Sequence, residues 1–106
     1  MFIYNVCCEF DADKQALADE WLAWLRDEHL RDVCNAGAQS ARVVQMDGAP
    51  LFFEIRYEFA SRAAFETYEQ DHAPRLRAEG LARFSPDRGM KYQRSTGTVV
   101  QVFSPK

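Results

Sequence analysis

The sequence predicts an α+β fold: one antiparallel sheet covered on a single face by helices. Three observations carry this. Residues 2–10, 38–46, 51–59 and 90–103 are strand-like, the first and third with the two-residue apolar period of half-buried strands. Two helical stripes separate the first strand from the second and the third from the fourth. Asp47-Gly48 joins the middle two strands as a hairpin signal.

The elements follow in order. In residues 2–10, FIYNVCCEF, the side chains of Phe2, Tyr4, Val6, Cys8 and Phe10 make an apolar face. Ile3, Asn5, Cys7 and Glu9 make a mixed one. Asp11 and Asp13 offer N-caps for a helix, where acidic residues are favoured. Leu17, Trp21, Trp24 and Leu25 then recur at the spacing of a buried stripe, and Gly37 is its stop. At about 100° per residue, His29 falls beside Leu25 on the edge of that stripe. Residues 38–46 form a second strand, and Ala49-Pro50 lengthens the hairpin turn.

In residues 51–59, LFFEIRYEF, the side chains of Leu51, Phe53, Ile55, Tyr57 and Phe59 face one way. Phe52, Glu54, Arg56 and Glu58 face the other. Ser61 caps a helix that runs to about Asp71, with Phe65 and Tyr68 inward. Pro74 suits the first turn of a further short helix, Arg75 to Phe84, which Gly80 weakens. Ser85-Pro86-Asp87 is a turn, and Gly97 permits a bend or bulge in the last strand. The order β-α-β-β-α-(α)-β is the split βαβ, ferredoxin-like sandwich, with a short extra helix before the last strand.

A chain of 106 residues makes one small domain, 1–106. Hydrophobic residues are 47%, enough for an ordinary core, which argues against disorder. Domains of this size leave apolar surface uncovered, and self-association hides it. A net charge of −3 argues against a nucleic-acid partner. The charge is uneven. Residues 1–59 hold 5 Lys/Arg against 11 Asp/Glu, a balance of −6, and residues 60–106 hold 8 against 5, a balance of +3. Complementary faces within the fold or across a dimer account for this, with an anion-binding surface as the alternative.

The three cysteines are an odd number. Cys7 and Cys8 are neighbours on opposite strand faces, so they should not bridge each other. No secretory segment precedes them, and no apolar run reaches the roughly 18 residues of a membrane span. A reduced, cytoplasmic setting without a membrane partner is expected.

With helices on one sheet face, the other face is left open, carrying Asn5, Cys7, Glu9, Glu54, Arg56 and Glu58. Two copies could close these faces into a barrel with a polar-lined cavity. Otherwise the same residues meet water.

The chain also resembles a known family. Tyr4-Asn5-Val6, Trp21-Leu22, Trp24-Leu25 and Glu28-His29-Leu30 through Val33 and Gly37 are similar to the opening of a bacterial family, domain of unknown function 4286. His72-Ala73-Pro74-Arg75-Leu76, Arg83-Phe84 and Arg94 resemble its second half. Leu30-Arg31 and the tail around Gly97-Thr98 depart from its pattern. The resemblance implies a homodimeric α/β barrel, a plan shared by cofactor-free monooxygenases, muconolactone-type isomerases and haem-degrading enzymes. It implies no particular reaction.

Several residues are candidates for chemistry. His72 and Asn5 occupy roughly the places of a histidine and an asparagine in haem-degrading relatives of the fold, and a neutral imidazole can ligate iron. The plainer reading of His72 is a helix-ending residue that caps its neighbour at Pro74. His29 is a candidate general base, with Asp32 at i+3 better placed to orient it than Glu28. The plainer reading of His29 is a helix-end histidine bonded to a backbone carbonyl. Asn5, Cys7, Glu54, Arg56 and Glu58, with Arg94, are the candidate ligand contacts. For the strand charges, ordinary solvated alternation or cross-strand pairing is the alternative. Cys34 near a helix C-terminus is a poor nucleophile, and two histidines with three scattered cysteines give no metal-ligand spacing.

The expected function is uptake of a small organic molecule in a dimer cavity, with cofactor-free oxidative chemistry as the finer form. The alternatives are a non-catalytic interaction or regulatory module and a haem binder using His72. Apart from haem, no cofactor is expected.

Overall fold

In the computed structural model, which describes residues 1–106, four strands make one antiparallel sheet in the order β2-β3-β1-β4. β1 is Phe2–Phe10, β2 is Ser40–Gln45, β3 is Phe52–Phe59 and β4 is Met90–Thr98. β1 lies inside the sheet and is paired along its whole length, to β3 from Phe2↔Phe59 to Glu9↔Phe52 and to β4 from Phe2↔Thr98 to Phe10↔Met90. This register aligns Tyr4 with Tyr57, Val6 with Ile55 and Cys8 with Phe53, so the apolar faces of the two strands coincide. A slip of one residue would turn every one of them to the other side.

The helices cover that face. α1 is Gln15–Trp24 and α2 is Leu30–Asn35, and a π-helical turn, Leu25–His29, joins them without a break. In that turn the Leu30 N–H donates to the Leu25 carbonyl, five residues back. α3 is Arg62–Asp71, and Ser61 caps it as predicted, its Oγ accepting from the Ala64 N–H at 3.1 Å. α4 is Ala73–Arg83, with Pro74 in its first turn, and a 3-10 turn, Pro86–Arg88, leads into β4.

Three details differ from the sequence expectation. Neither Asp11 nor Asp13 caps α1: Lys14 holds that position, and no side chain bonds the helix start. The Asp11 carbonyl instead accepts the Lys14 N–H in a tight turn. Gly97 makes no bulge, because it pairs with Ile3 in an unbroken ladder. The last strand ends at Thr98 rather than near 103, since Thr98 lies opposite Phe2 and β1 offers little chain beyond it. One further bond, from the Val99 N–H to the Met1 carbonyl, closes that end.

The 23 buried residues are all hydrophobic and form one cluster between sheet and helices. Trp21 fixes α1 to the sheet, its ring 5.4 Å from that of Phe10 and 5.6 Å from that of Phe53. Such aromatic pairs contribute about 0.5–1.5 kcal/mol each beyond the area they bury. The charge imbalance along the chain resolves into ion pairs between its halves: Arg83 with Glu28, Arg88 with Glu20 and Lys91 with Glu9. All are well exposed, so each is worth roughly 0–1 kcal/mol. No helix is long and apolar enough to cross a membrane.

Candidate functional site

A partly open cavity lies between the helices and the sheet. It measures about 40 Å³, and 11 of its 15 lining residues are hydrophobic. Five elements bring polar groups to it. Tyr4 rises from the middle of β1 and Tyr57 stands opposite it on β3, the two rings stacked 5.7 Å apart. Arg77 reaches in from α4, Arg94 from β4, and His29 from the end of the π turn.

The π turn positions His29. Residues five apart on a regular α-helix point about 140° apart. The widened turn instead brings His29 over Trp24, rings parallel within 18° and centroids 4.3 Å apart. Burial pulls the imidazole down to about 4, with Asp32 opposing the shift and Arg94 adding to it. At neutral pH His29 is uncharged.

Two guanidinium groups meet on one hydroxyl. The Tyr4 hydroxyl accepts from Arg77 Nη2 at 3.1 Å and from Arg94 Nε at 3.2 Å. The Arg77 charge is balanced by Glu69, which it contacts at 2.9 Å. Arg94 joins none of the six ion pairs and lies against the Tyr92 ring, 5.5 Å from its centre. Burial, more than any other effect, pushes the Tyr57 phenol well above its usual range, so it stays protonated. Four buried side-chain polar atoms lack a hydrogen-bond partner, and three of them, His29 Nδ1, Tyr57 Oη and Arg77 Nε, belong to residues lining this cavity.

Other candidates lie elsewhere. Asn5 and Cys7 on β1, with Glu54, Arg56 and Glu58 on β3, occupy the sheet face away from the helices, and none lines the cavity. There Arg56 pairs with Glu54 at 3.3 Å, and Glu58 accepts from Ser40 Oγ at 3.3 Å. The Asn5 side-chain oxygen, Oδ1, is buried without a partner. His72 sits at the junction of α3 and α4, its Nδ1 3.3 Å from Arg75 Nη2, in a shallow depression with Asp32 and Glu79. It lies in the helical layer, while Asn5 faces away from that layer, so the two do not converge within one protomer. Burial raises the Cys7, Cys8 and Cys34 thiols, Cys8 to about 12, which disfavours the reactive thiolate at each. No group of three or more His, Cys, Asp or Glu side chains is placed to hold a metal.

His29 and Arg94 are thus the candidates that share the cavity. Tyr4, Tyr57 and Arg77 join them without having been singled out. The available signal was hydroxyl-bearing tyrosines at inward strand positions, since a buried phenol needs a partner. Arg77 and the π turn had no local signature.

The architecture is that of the dimeric ferredoxin-like proteins. One such protein, from an uncultured marine organism, superposes with a TM-score of 0.73 at 16% identity, covering 99% of this chain and 100% of its own. A Deinococcus radiodurans protein, by name a candidate antibiotic biosynthesis monooxygenase, gives 0.71 at 11% identity, covering 100% and 99%. HapK from Hahella chejuensis gives 0.67 at 15% identity, covering 100% of both chains. At these identities the likeness shows the fold alone. The chain itself belongs to the family described as a domain of unknown function, DUF4286, which matches residues 1–96. No curated protein matches it.

Proposed function

We propose that the protein is a homodimeric module that takes up a small organic molecule in the cavity between its helices and its sheet. The supporting observation is the grouping of three unpartnered buried polar atoms around one mostly apolar cavity. An unpaired buried polar atom costs about 1–3 kcal/mol, and a bound molecule or ordered water would recover it. An apolar cavity with a few convergent polar groups is the usual form of a small-molecule site.

The homodimer rests on the dimeric state named for two of the similar structures and on the open sheet face. The role assigned is binding. His29 is the one imidazole at the cavity, and a base with a pKa near 4 abstracts protons weakly at pH 7. Oxidation of the bound molecule without a cofactor is the finer reading, and it draws only on the monooxygenase names of three fold neighbours.

A fragment screen by thermal shift, followed by backbone NMR of the hits, tests the binding role. The expected result is a set of fragments that raise Tm by a few degrees and perturb His29, Tyr57 and Arg94. Hits that map only to the open sheet face, or none at all, would overturn it in favour of an interaction module.

A further inference from the structure

We infer that this cavity is built to receive the carboxylate of a small acid with a flat, apolar body. The inference rests on the ligand-binding reading of the same cavity and specifies what enters it.

The first argument is the kind of hydrogen bond on offer. The Tyr4 hydroxyl already accepts from two guanidinium groups, which fills both of its lone pairs and leaves its own proton to give. Tyr57 offers a phenolic O–H, and Arg77 Nε offers an N–H that can only donate. The site therefore presents three donors, one of which, Arg77 Nε, can only donate, while the Tyr57 hydroxyl and the His29 ring can each either donate or accept. An ionised carboxylate is the complementary group, since it accepts only and has about four lone-pair positions.

The second argument is charge. No aspartate or glutamate lines the cavity. Glu69 neutralises Arg77 from outside it, which leaves Arg94 as an unbalanced positive charge at the mouth. A carboxylate there gains a bond ionised on both sides, a neutral acceptor gains one ionised on the donor side alone, and a cationic group is repelled.

The third argument is size. About 40 Å³ is room for roughly three waters, which suits a carboxylate head and is too little for a whole ring. The body of the acid must then lie along the rim, where half-buried Tyr92 and exposed Leu81 supply apolar surface. A flat ring fits against Tyr92 as the Arg94 guanidinium already does.

The protein carries its own reporter, because Trp21 and Trp24 both line the cavity. Tryptophan fluorescence titrations with benzoate, benzamide and benzylammonium, on the full chain, separate the possibilities. The expected result is saturable binding of benzoate at least about tenfold tighter than of benzamide, with benzylammonium weakest. Arg94→Gln should lower benzoate affinity to the benzamide level and leave benzamide unchanged. Arg94 is exposed, and its urea midpoint checks that the variant folds. Equal affinity for benzoate and benzamide would overturn the carboxylate inference and leave the ligand-binding reading standing. Tighter binding of benzylammonium would overturn it likewise. Failure of all three probes would overturn the carboxylate inference, and with an empty fragment screen it would overturn the ligand-binding reading too.

Discussion

His29 shows how one residue's environment sets its behaviour. Free histidine titrates near 6.5, and the folded protein holds this one near 4, chiefly by burial, with Asp32 and Arg94 as the charged groups that act on it. Between those values the unfolded chain binds a proton that the folded chain refuses. The contribution to stability is therefore fully present above pH 6.5, falls as the pH drops, and is lost below about pH 4. The total is on the order of 3 kcal/mol. Urea midpoints taken from pH 7 to pH 4.5 should decline more steeply for the wild type than for His29→Gln. Parallel declines would show that His29 is not the group being charged.

At the scale of elements, the turn into β4 depends on Gly89. Its φ of 103° lies in the left-handed region, and a Cβ there would come within 2.9 Å of Lys14 Cε and 3.0 Å of Asp11 Oδ2. Its carbonyl also accepts the Asp11 N–H, which ties the end of β1 to the start of β4. Gly89→Ala should cost about 1–3 kcal/mol, read as a lowered urea midpoint. An unchanged midpoint would show that the turn relaxes at no cost. The strands and helices were legible because their apolar residues keep a strict period, as in Phe2 to Phe10 and Leu51 to Phe59. Ser61 and Pro74 announced their helix starts by the same local chemistry that operates in the fold. The π turn was not legible, since Leu25 to His29 carries no residue that demands a widened turn. The cavity was only half legible. Alternation could say that Tyr4 and Tyr57 point inward, but not that Arg77, 73 residues from Tyr4, would arrive at the same hydroxyl.

At the scale of the whole molecule, the sheet has one covered face and one open one. The proposed dimer closes the open faces on each other, which would shield Ile3, Asn5, Cys7 and Phe52 from water. Cys7 lies directly opposite Glu54. Cys7→Glu would set two carboxylates side by side there and leave the helix-covered core untouched. Sedimentation over a concentration series should show a dimer of roughly twice 12.2 kDa in the wild type. In the variant the dissociation constant should rise at least about tenfold, since like charges facing each other oppose association. Undiminished association would place the interface on another surface.

The strand order also governs when the sheet can exist during synthesis. β1 leaves the ribosome first, yet both of its neighbours, β3 and β4, begin more than 40 residues later. Contacts so distant in sequence form slowly. Until residue 59 has emerged, the band from Phe2 to Phe10 has no strand to pair with. Helix α1, which follows directly, is its first cover. Trp21, docked between Phe10 and Phe53, meets one of its two partners before the other has been made. The nascent chain thus passes through an interval in which its most apolar strand is guarded by a single helix, and that interval is when it is most open to aggregation.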